Sequence, residues 1–495
     1  MNLRDLLAGC DYRILHGDPD RADVHAGIAC HSQRLATGSL YIAIPGNRTD
    51  GHRFIADAVA RGAVALLVEH PPAAPMPSHV CVVQVADTRA TAPLVAARYF
   101  GNPSAELRVV AVTGTNGKTS VSYMLETALR MGTRAAVGVI GTDGSRVGDE
   151  PIGIETTTPT TPEAAELQHI LRAMRDRGAD TVVMEASSMA LKLRRVDHTD
   201  IDVGIFTNLT PEHLDDHGTM EAYKQAKLVL FGGMCRRAVA NADDPVSADI
   251  IALMPGAVTT YGLDTAAEFR ATDLRVDATG TSFILHHAGH RQPARVPVPG
   301  RFAVSNTLAT LAGGHLLGHD LDTLIDTLRA LPAIPGRFQT YQTPAGVSVV
   351  VDYAHSSDSL QQALTTIREF ADRRVVTVFG CGGDRDPGKR APMGEVAGTH
   401  SDVVVVTSDN PRTEDPDAII DAIMNGLKTT PAVAERITDR RHAITRALET
   451  AEPGDIVLIA GKGAEPYQII GERQVPFDDM STVREIAASL AQERD

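Results

Sequence analysis

The chain has no tryptophan, and aromatic residues make up only 4% of it. Its cores must therefore be built from Ala, Val, Leu and Ile. Five cysteines (Cys10, Cys30, Cys81, Cys235 and Cys381) are scattered with no C-x-x-C pair. That spacing suggests neither a zinc site nor a disulfide framework. Basic residues are outnumbered, 47 against 62 acids, for a net charge of −15. Nonspecific binding to nucleic acid or anionic lipid needs a basic face, so both partners are excluded, although a local basic pocket for a phosphorylated substrate is not. No apolar run approaches the ~18 residues of a membrane span. The N-terminus, M-N-L-R-D-L-L-A-G-C-D, carries acids where a signal peptide would be apolar. A cytoplasmic protein without membrane insertion is expected.

What is present is informative. A length of 495 residues fits about three domains, and a hydrophobic fraction of 43% supplies ample core. The stretch V-V-A-V-T-G-T-N-G-K-T (Val109–Thr119) reads as a strand, a tight loop and a helix N-terminus. Val121, Met124, Leu125, Ala128 and Leu129 fall on one face of that helix. Glycines let backbone approach a phosphate, and free N–H groups point at the anion. Gly114, Thr115, Asn116, Gly117, Lys118, Thr119 and Ser120 form the candidate triphosphate loop. Lys118 can neutralise the outer phosphates, and the Thr119 hydroxyl can ligate Mg²⁺. The strict pattern has a glycine where this chain has Val112; the strand before and the helix after supply the required context. An ordinary Gly-rich turn is the plain alternative.

The expected fold class is α/β with three domains. Residues 1–106 hold short strands and helices, among them Ser39–Gly46, Phe54–Ala63 and Val64–Glu69. A central P-loop-type ATPase domain with a mostly parallel sheet spans 107–335, including strands Thr181–Glu185 and Val203–Asn208. The Pro-Gly of A-I-P-G-R-F marks its end. Residues 336–495 form a C-terminal Rossmann-like domain, with strands at 347–352, 374–380, 402–407 and 455–461. Helices are expected between them at 358–371, 416–427 and 440–451. Continuous Val/Ile strands alternating with helices imply a parallel sheet covered on both faces, with ligands at the carboxyl ends.

Several residues could carry chemistry. Glu185 ends its strand beside the loop strand, where an acid can hold Mg²⁺; a turn carboxylate is the alternative. His213, in T-N-L-T-P-E-H-L-D-D-H, is a possible second metal ligand or simply a solvated loop histidine. Lys227 lies on a probable helix, where a lysine is ordinarily a surface charge. In the third domain the strand ends read G-C-G-G-D-R-D, S-D-N-P-R and G-K-G-A-E. Arg385 and Arg412 supply forked donors for a carboxylate. Asp409 and Glu465 supply acceptors for an ammonium, so together they suit a zwitterion such as an amino acid. Turn capping is the plain reading of each motif alone.

Set side by side, these segments resemble the Mur ligases, ATP-dependent amide ligases of peptidoglycan precursor synthesis. The similar branch adds the third residue to UDP-N-acetylmuramoyl-L-alanyl-D-glutamate. The resemblance runs in order through G-T-N-G-K-T, T-T-P-E (Thr160–Glu163), M-E-A-S-S (Met184–Ser188), T-N-L-T-P-E-H-L-D, N-A-D-D (Asn241–Asp244), P-G-R-F (Pro335–Phe338), V-D-Y-A-H (Val351–His355), F-G-C-G-G-D-R-D-P-G-K-R and D-N-P-R. In that family D-N-P-R accompanies choice of meso-diaminopimelate over lysine.

The resemblance implies roles. Lys118 and Thr119 would bind ATP phosphates and Mg²⁺, and Glu185 and His213 would ligate Mg²⁺. Lys227 would match a carbamylated lysine that holds a second Mg²⁺. Asn306, Arg337 and Asp352 would hold the nucleotide. Ser32 would contact the uridine end, in a pocket with Gly46–Arg48, and Thr160, Thr161, Ser187 and Arg195 the muramoyl dipeptide. Arg385, Asp409, Asn410, Arg412, Gly461 and Glu465 would hold the incoming diaminopimelate-like amino acid. ATP would convert the acceptor carboxylate to an acyl phosphate, which the amine attacks; a monomer is expected. The chain departs from the family at His31 and Gln33, at Met189, at Ala303 and at Ala464. Those departures leave open a paralogue that joins an amino acid to another carboxylate in specialised metabolism. A non-catalytic nucleotide-binding regulator is the reading from another class, and the retained Lys118, Glu185, His213 and Lys227 speak against it.

Overall fold

The computed structural model describes residues 1–46, 49–132 and 136–492. Three separate sheets organise it. The first has five strands ordered Arg13–His16, Cys81–Gln84, Ala65–Val68, Leu40–Ile42 and Ile28–Ala29; all neighbours are parallel except the first pair. Leu40, Ile42, Leu67 and Val83 pack on one face, and Tyr41, Leu66 and Val82 on the other. Period-two alternation of buried strands thus gives this module two small apolar layers.

The central sheet has eleven strands. The loop strand, Arg108–Thr113, sits in its middle. Ala179–Glu185 pairs with it on one side and Ile201–Phe206 on the other, both parallel. Glu185 is in register with Val112, so its side chain emerges where the phosphate loop begins. Antiparallel strands finish both edges. Helices Lys118–Gly132 and Arg301–Leu316 cover one face through Val121, Leu125, Leu308 and Leu311. Helix Ala164–Asp176 covers the other through Leu167, Ile170 and Leu171.

The third sheet is ordered Gln339–Gln342, Ser348–Asp352, Ile456–Ala460, Val375–Phe379, Val403–Val406 and Val433–Arg436. Only the first pair is antiparallel. Helices Ser357–Arg368, Pro416–Leu427 and Arg440–Thr450 are present as expected. Helix Arg390–His400 and edge strand Val433–Arg436 are additional. Among the described residues no helix is long and apolar enough to cross a membrane.

One fully buried ion pair braces this third module. Arg440 Nε and Nη2 donate to the two Asp479 oxygens at 2.8 and 2.7 Å, and Nη2 also donates to the Ala460 carbonyl at 3.1 Å. Both side chains have zero exposure. The pair ties two helix N-termini to the end of the strand Ile456–Ala460. Removing one partner strands the other charge in the core. Asp479→Ala is expected to cost this module about 3–5 kcal/mol. Urea unfolding followed by amide exchange of Ile456–Ala460 checks this; an unchanged midpoint refutes it.

Candidate active site

The site is built from three loops that meet at the carboxyl ends of parallel strands. The first is the phosphate loop. Thr115 N donates to the Asn208 carbonyl at 2.8 Å and Asn116 N to Asn208 Oδ1 at 2.9 Å. Thr207 Oγ1 donates to the Asn116 carbonyl at 2.6 Å. The segment after Ile201–Phe206 therefore holds the loop in shape. Asn241 Nδ2 donates to the Thr207 carbonyl, and Asp244 accepts from Leu209 N, so the N-A-D-D turn braces that segment in turn. Gly117 has φ +88, and a Cβ there would lie 2.5 Å from Asn306 Oδ1. Only glycine serves where the loop turns against the buried Asn306.

Lys118 Nζ donates to the Gly114 and Thr115 carbonyls at 3.0 and 2.8 Å. Burial lowers its pKa, while Glu185 and Glu212 pull it back up. Glu185, only 2% exposed, accepts from Thr119 Oγ1 at 3.1 Å and from Thr142 N and Oγ1 at 3.0 and 3.2 Å. Among the described residues Glu185 has no ion-pair partner. A buried carboxylate beside a threonine hydroxyl, with no cation of the protein's own paired to it, offers hard oxygens to a divalent ion. These residues fit Mg²⁺.

Lys227 is not the surface charge its helix would suggest. It is 1% exposed, its Nζ donates to the Gly114 carbonyl at 2.7 Å, and it lies 4.4 Å from the centre of the Tyr223 ring. Burial, reinforced by the charge of Lys118, pushes its pKa well below the usual lysine value. His213 stands further out, half exposed, with Glu212 and Asp216 oxygens each 4.0 Å from its ring nitrogens. It makes no hydrogen bond to Glu185 among the described residues.

The acceptor set gathers on the far side of Glu185. Thr161 Oγ1 donates to the Glu185 carbonyl at 2.8 Å and accepts from Ser187 N at 3.0 Å. Arg195 Nη1 donates to the Thr161 carbonyl at 3.4 Å, and its Nε lies 2.8 Å from Glu163. Thr160 shares a 3.1 Å hydrogen bond with Thr142. A cavity of about 330 Å³ there is lined by Thr142, Ile152, Ile154, Thr158 and Thr160 among others. Ser32 is buried in the first module, and its hydroxyl helps hold the Asp57 carboxyl below its usual range. Asn47 and Arg48 of the expected uridine pocket lie outside the described residues.

The third module reaches into the loop. Arg337 Nη2 donates to Thr119 Oγ1 at 3.0 Å, and the guanidinium stacks 4.3 Å from the Tyr353 ring centre. Asp352 accepts from Phe338 N and Ala354 N at 2.7 and 2.8 Å; burial pushes its carboxyl up. Arg385 and Arg412 flank Gly382, whose added Cβ would lie 3.7 Å from Arg385 Cγ and 2.9 Å from Arg412 Nη1. Asn410 Nδ2 donates to Glu465 at 2.9 Å, and the Gly461 backbone lies against Asp409. Non-glycine residues with positive φ include Thr160, His213, Phe338, Asp384 and Arg412. Strain of this kind concentrates where a fold holds side chains for function.

Three groups escaped the sequence reading. Thr142 follows the strand Ala136–Gly141, and only its place at a parallel strand end could have singled it out. Glu212 and His355 form a 2.9 Å ion pair between the second and third modules. Burial opposes ionisation of Glu212, but the hydrogen bond and charge of His355 outweigh it and hold the carboxyl well below its usual range.

A phosphate-type loop at the end of a central parallel strand, met by a second α/β module through Arg337, is the arrangement of a nucleotide-dependent ligase. Sequence comparison agrees. Residues 25–108 match the Mur ligase family catalytic domain, 112–314 the Mur ligase middle domain, and 336–463 the Mur ligase glutamate ligase domain. The chain belongs to the Mur ligase family. It is 40% identical to the UDP-N-acetylmuramoyl-L-alanyl-D-glutamate–2,6-diaminopimelate ligase 2 of Clostridium acetobutylicum, covering 98% of this chain and 100% of that one. The corresponding ligase of Clostridioides difficile is 39% identical, covering 99% and 100%. A solved structure of a ligase with that name superposes with a TM-score of 0.70 at 32% identity, covering 99% of each chain. The MurF ligase of Thermotoga maritima in complex with ADP shares the fold at TM-score 0.66 and 19% identity, covering 96% of this chain and 100% of that one.

His355→Ala leaves the mostly buried Glu212 without its partner. It is expected to weaken docking of the third module by about 1–3 kcal/mol, read as faster amide exchange in the first turn of Ser357–Arg368. Unchanged exchange there refutes the clasp.

Proposed function

We propose that this protein joins meso-diaminopimelate to UDP-N-acetylmuramoyl-L-alanyl-D-glutamate at the cost of ATP, in peptidoglycan precursor synthesis. The observation that carries the reading is the position of Glu185. Its carboxylate takes the Thr119 hydroxyl of the phosphate loop, and its carbonyl takes the Thr161 hydroxyl of the acceptor set. One residue thus touches both sides of a phosphoryl transfer. Relatives at 39–40% identity over essentially the whole chain bear the name of this reaction, which supports it.

A carboxylate is a poor electrophile. Its oxygen attacks the γ-phosphorus of ATP, the bond to the β-phosphate oxygen breaks, and ADP leaves. Lys118 swings from the loop carbonyls to the transferring phosphoryl group and offsets its charge. Thr119, Glu185 and His213 would hold Mg²⁺, which supplies positive charge at the phosphates when bound. Lys227, a buried amine of lowered pKa, suits carbamylation and would then offer a further oxygen ligand. Asn306, Arg337 and Asp352 orient the nucleotide. The amine of the amino acid, held by Arg385, Asp409, Asn410, Arg412, Gly461 and Glu465, attacks the acyl carbon. A tetrahedral intermediate forms, phosphate leaves with one acyl oxygen, and the nitrogen loses its proton to water. Closure of the third module excludes water from the acyl phosphate.

Phosphate release with UDP-muramoyl dipeptide, ATP, Mg²⁺ and meso-diaminopimelate tests the reading. Turnover that requires all of them supports it; turnover only with another carboxylate acceptor overturns it. Lys118→Ala is expected to lower kcat by about 10²–10³-fold with the thermal midpoint unchanged. Undiminished kcat contradicts the role of Lys118.

A further inference from the structure

The turn after Ile456–Ala460 contains a lysine that the reaction above leaves without a task. Lys462 has zero exposure. Its Nζ lies 3.0 Å from Glu465 Oε2 and 3.2 Å from Asn410 Oδ1, with the Tyr467 ring centre at 5.9 Å. A buried ammonium is costly unless paired. Glu465 is its one ion-pair partner among the described residues.

That pairing decides what the pocket shows to a ligand. Glu465 Oε2 accepts from both Lys462 and Asn410 Nδ2, the latter at 2.9 Å. Glu465 Oε1 takes no hydrogen bond among the described residues, and the side chain is 25% exposed. Asn410 Oδ1 is filled by Lys462 and by Ile469 N at 2.9 Å. One Asn410 N–H remains free after its bond to Glu465. What is left unfilled is one carboxylate oxygen of Glu465 and one amide N–H of the buried Asn410, with the carboxylate charge already balanced by Lys462.

We propose that Lys462 is a positioning residue that tunes this pocket to a zwitterionic head group and against a lone ammonium. The inference rests on the reaction proposed above. The pocket takes the end of the amino acid away from the attacking amine: there diaminopimelate carries ammonium and carboxylate and lysine a lone ammonium, and a free carboxylate would attract both. Once Lys462 balances Glu465, a lone ammonium gains little net charge attraction. A head group carrying both ammonium and carboxylate still gains, because it meets the Glu465 oxygen, the Asn410 N–H and the Arg412 guanidinium together. Lys462 also stops Glu465 from rotating away, so the acceptor stays where the amino group arrives.

The test compares meso-diaminopimelate with L-lysine. In the full-length enzyme, Lys462→Met is expected to lower the ratio of their kcat/KM values by about 10-fold or more. The change should fall on KM for the two amino acids, lowered for lysine and raised for diaminopimelate, with KM for ATP unaltered. Lys462→Arg, which keeps the charge, should restore most of the ratio. Should Lys462→Met fold poorly, Lys462→Gln keeps an N–H donor for Glu465 without the charge and should show the same loss of discrimination. Equilibrium binding of the two free amino acids reads the same ratio without catalysis. A ratio within twofold of wild type in Lys462→Met or Lys462→Gln overturns the proposal. Discriminating binding without turnover overturns the assigned reaction and leaves the role of Lys462 standing.

Discussion

Everything in the catalytic region depends on keeping one carboxylate buried at the end of a central strand. Glu185 is held by two threonine hydroxyls and one backbone N–H, with no cation of the protein's own paired to it. Burying a carboxylate this way is tolerable because its hydrogen bonds are made, and its oxygens are of the kind a divalent ion takes. The sheet order serves that end. With Arg108–Thr113 between Ala179–Glu185 and Ile201–Phe206, the phosphate loop, the Glu185 turn and the Thr207–Thr210 brace share one edge. A different strand order would scatter them.

The third module is bound to this centre through its own chemistry. Arg337 meets Thr119, Asn116 donates to Asp358 at 3.1 Å, and His355 meets Glu212. Gly336, which carries Arg337, has φ +61, and a Cβ there would lie 2.1 Å from Ala464 N. The linker that delivers the arginine is therefore packed against the Gly461–Glu465 turn. The phosphate loop and the third module are joined by direct contacts rather than by proximity alone.

Much of this was legible in the residues themselves. The loop strand and the Val/Ile strands of the third module are continuous apolar runs, and turn residues bound them. Other parts were hidden for physical reasons. Helix Arg390–His400, R-A-P-M-G-E-V-A-G-T-H, lacks a clear apolar stripe because Gly394 and Gly398 pack directly against Pro416–Leu427 and the Thr430 turn. Strand Val433–Arg436 is an exposed edge and so reads as polar. Lys227 looks like a surface residue; the Gly114 carbonyl and Tyr223, more than a hundred and four residues away respectively, make it a buried one. The Glu212–His355 clasp joins two modules, and no local pattern encodes it.

The central claim is that the acceptor carboxylate passes through an acyl phosphate. Labelling the D-glutamyl side-chain carboxylate with ¹⁸O and analysing the released phosphate by mass spectrometry tests it directly. One labelled oxygen per phosphate is the outcome required by attack of that carboxylate on the γ-phosphorus. Phosphate released without label, alongside normal amide formation, would contradict the account.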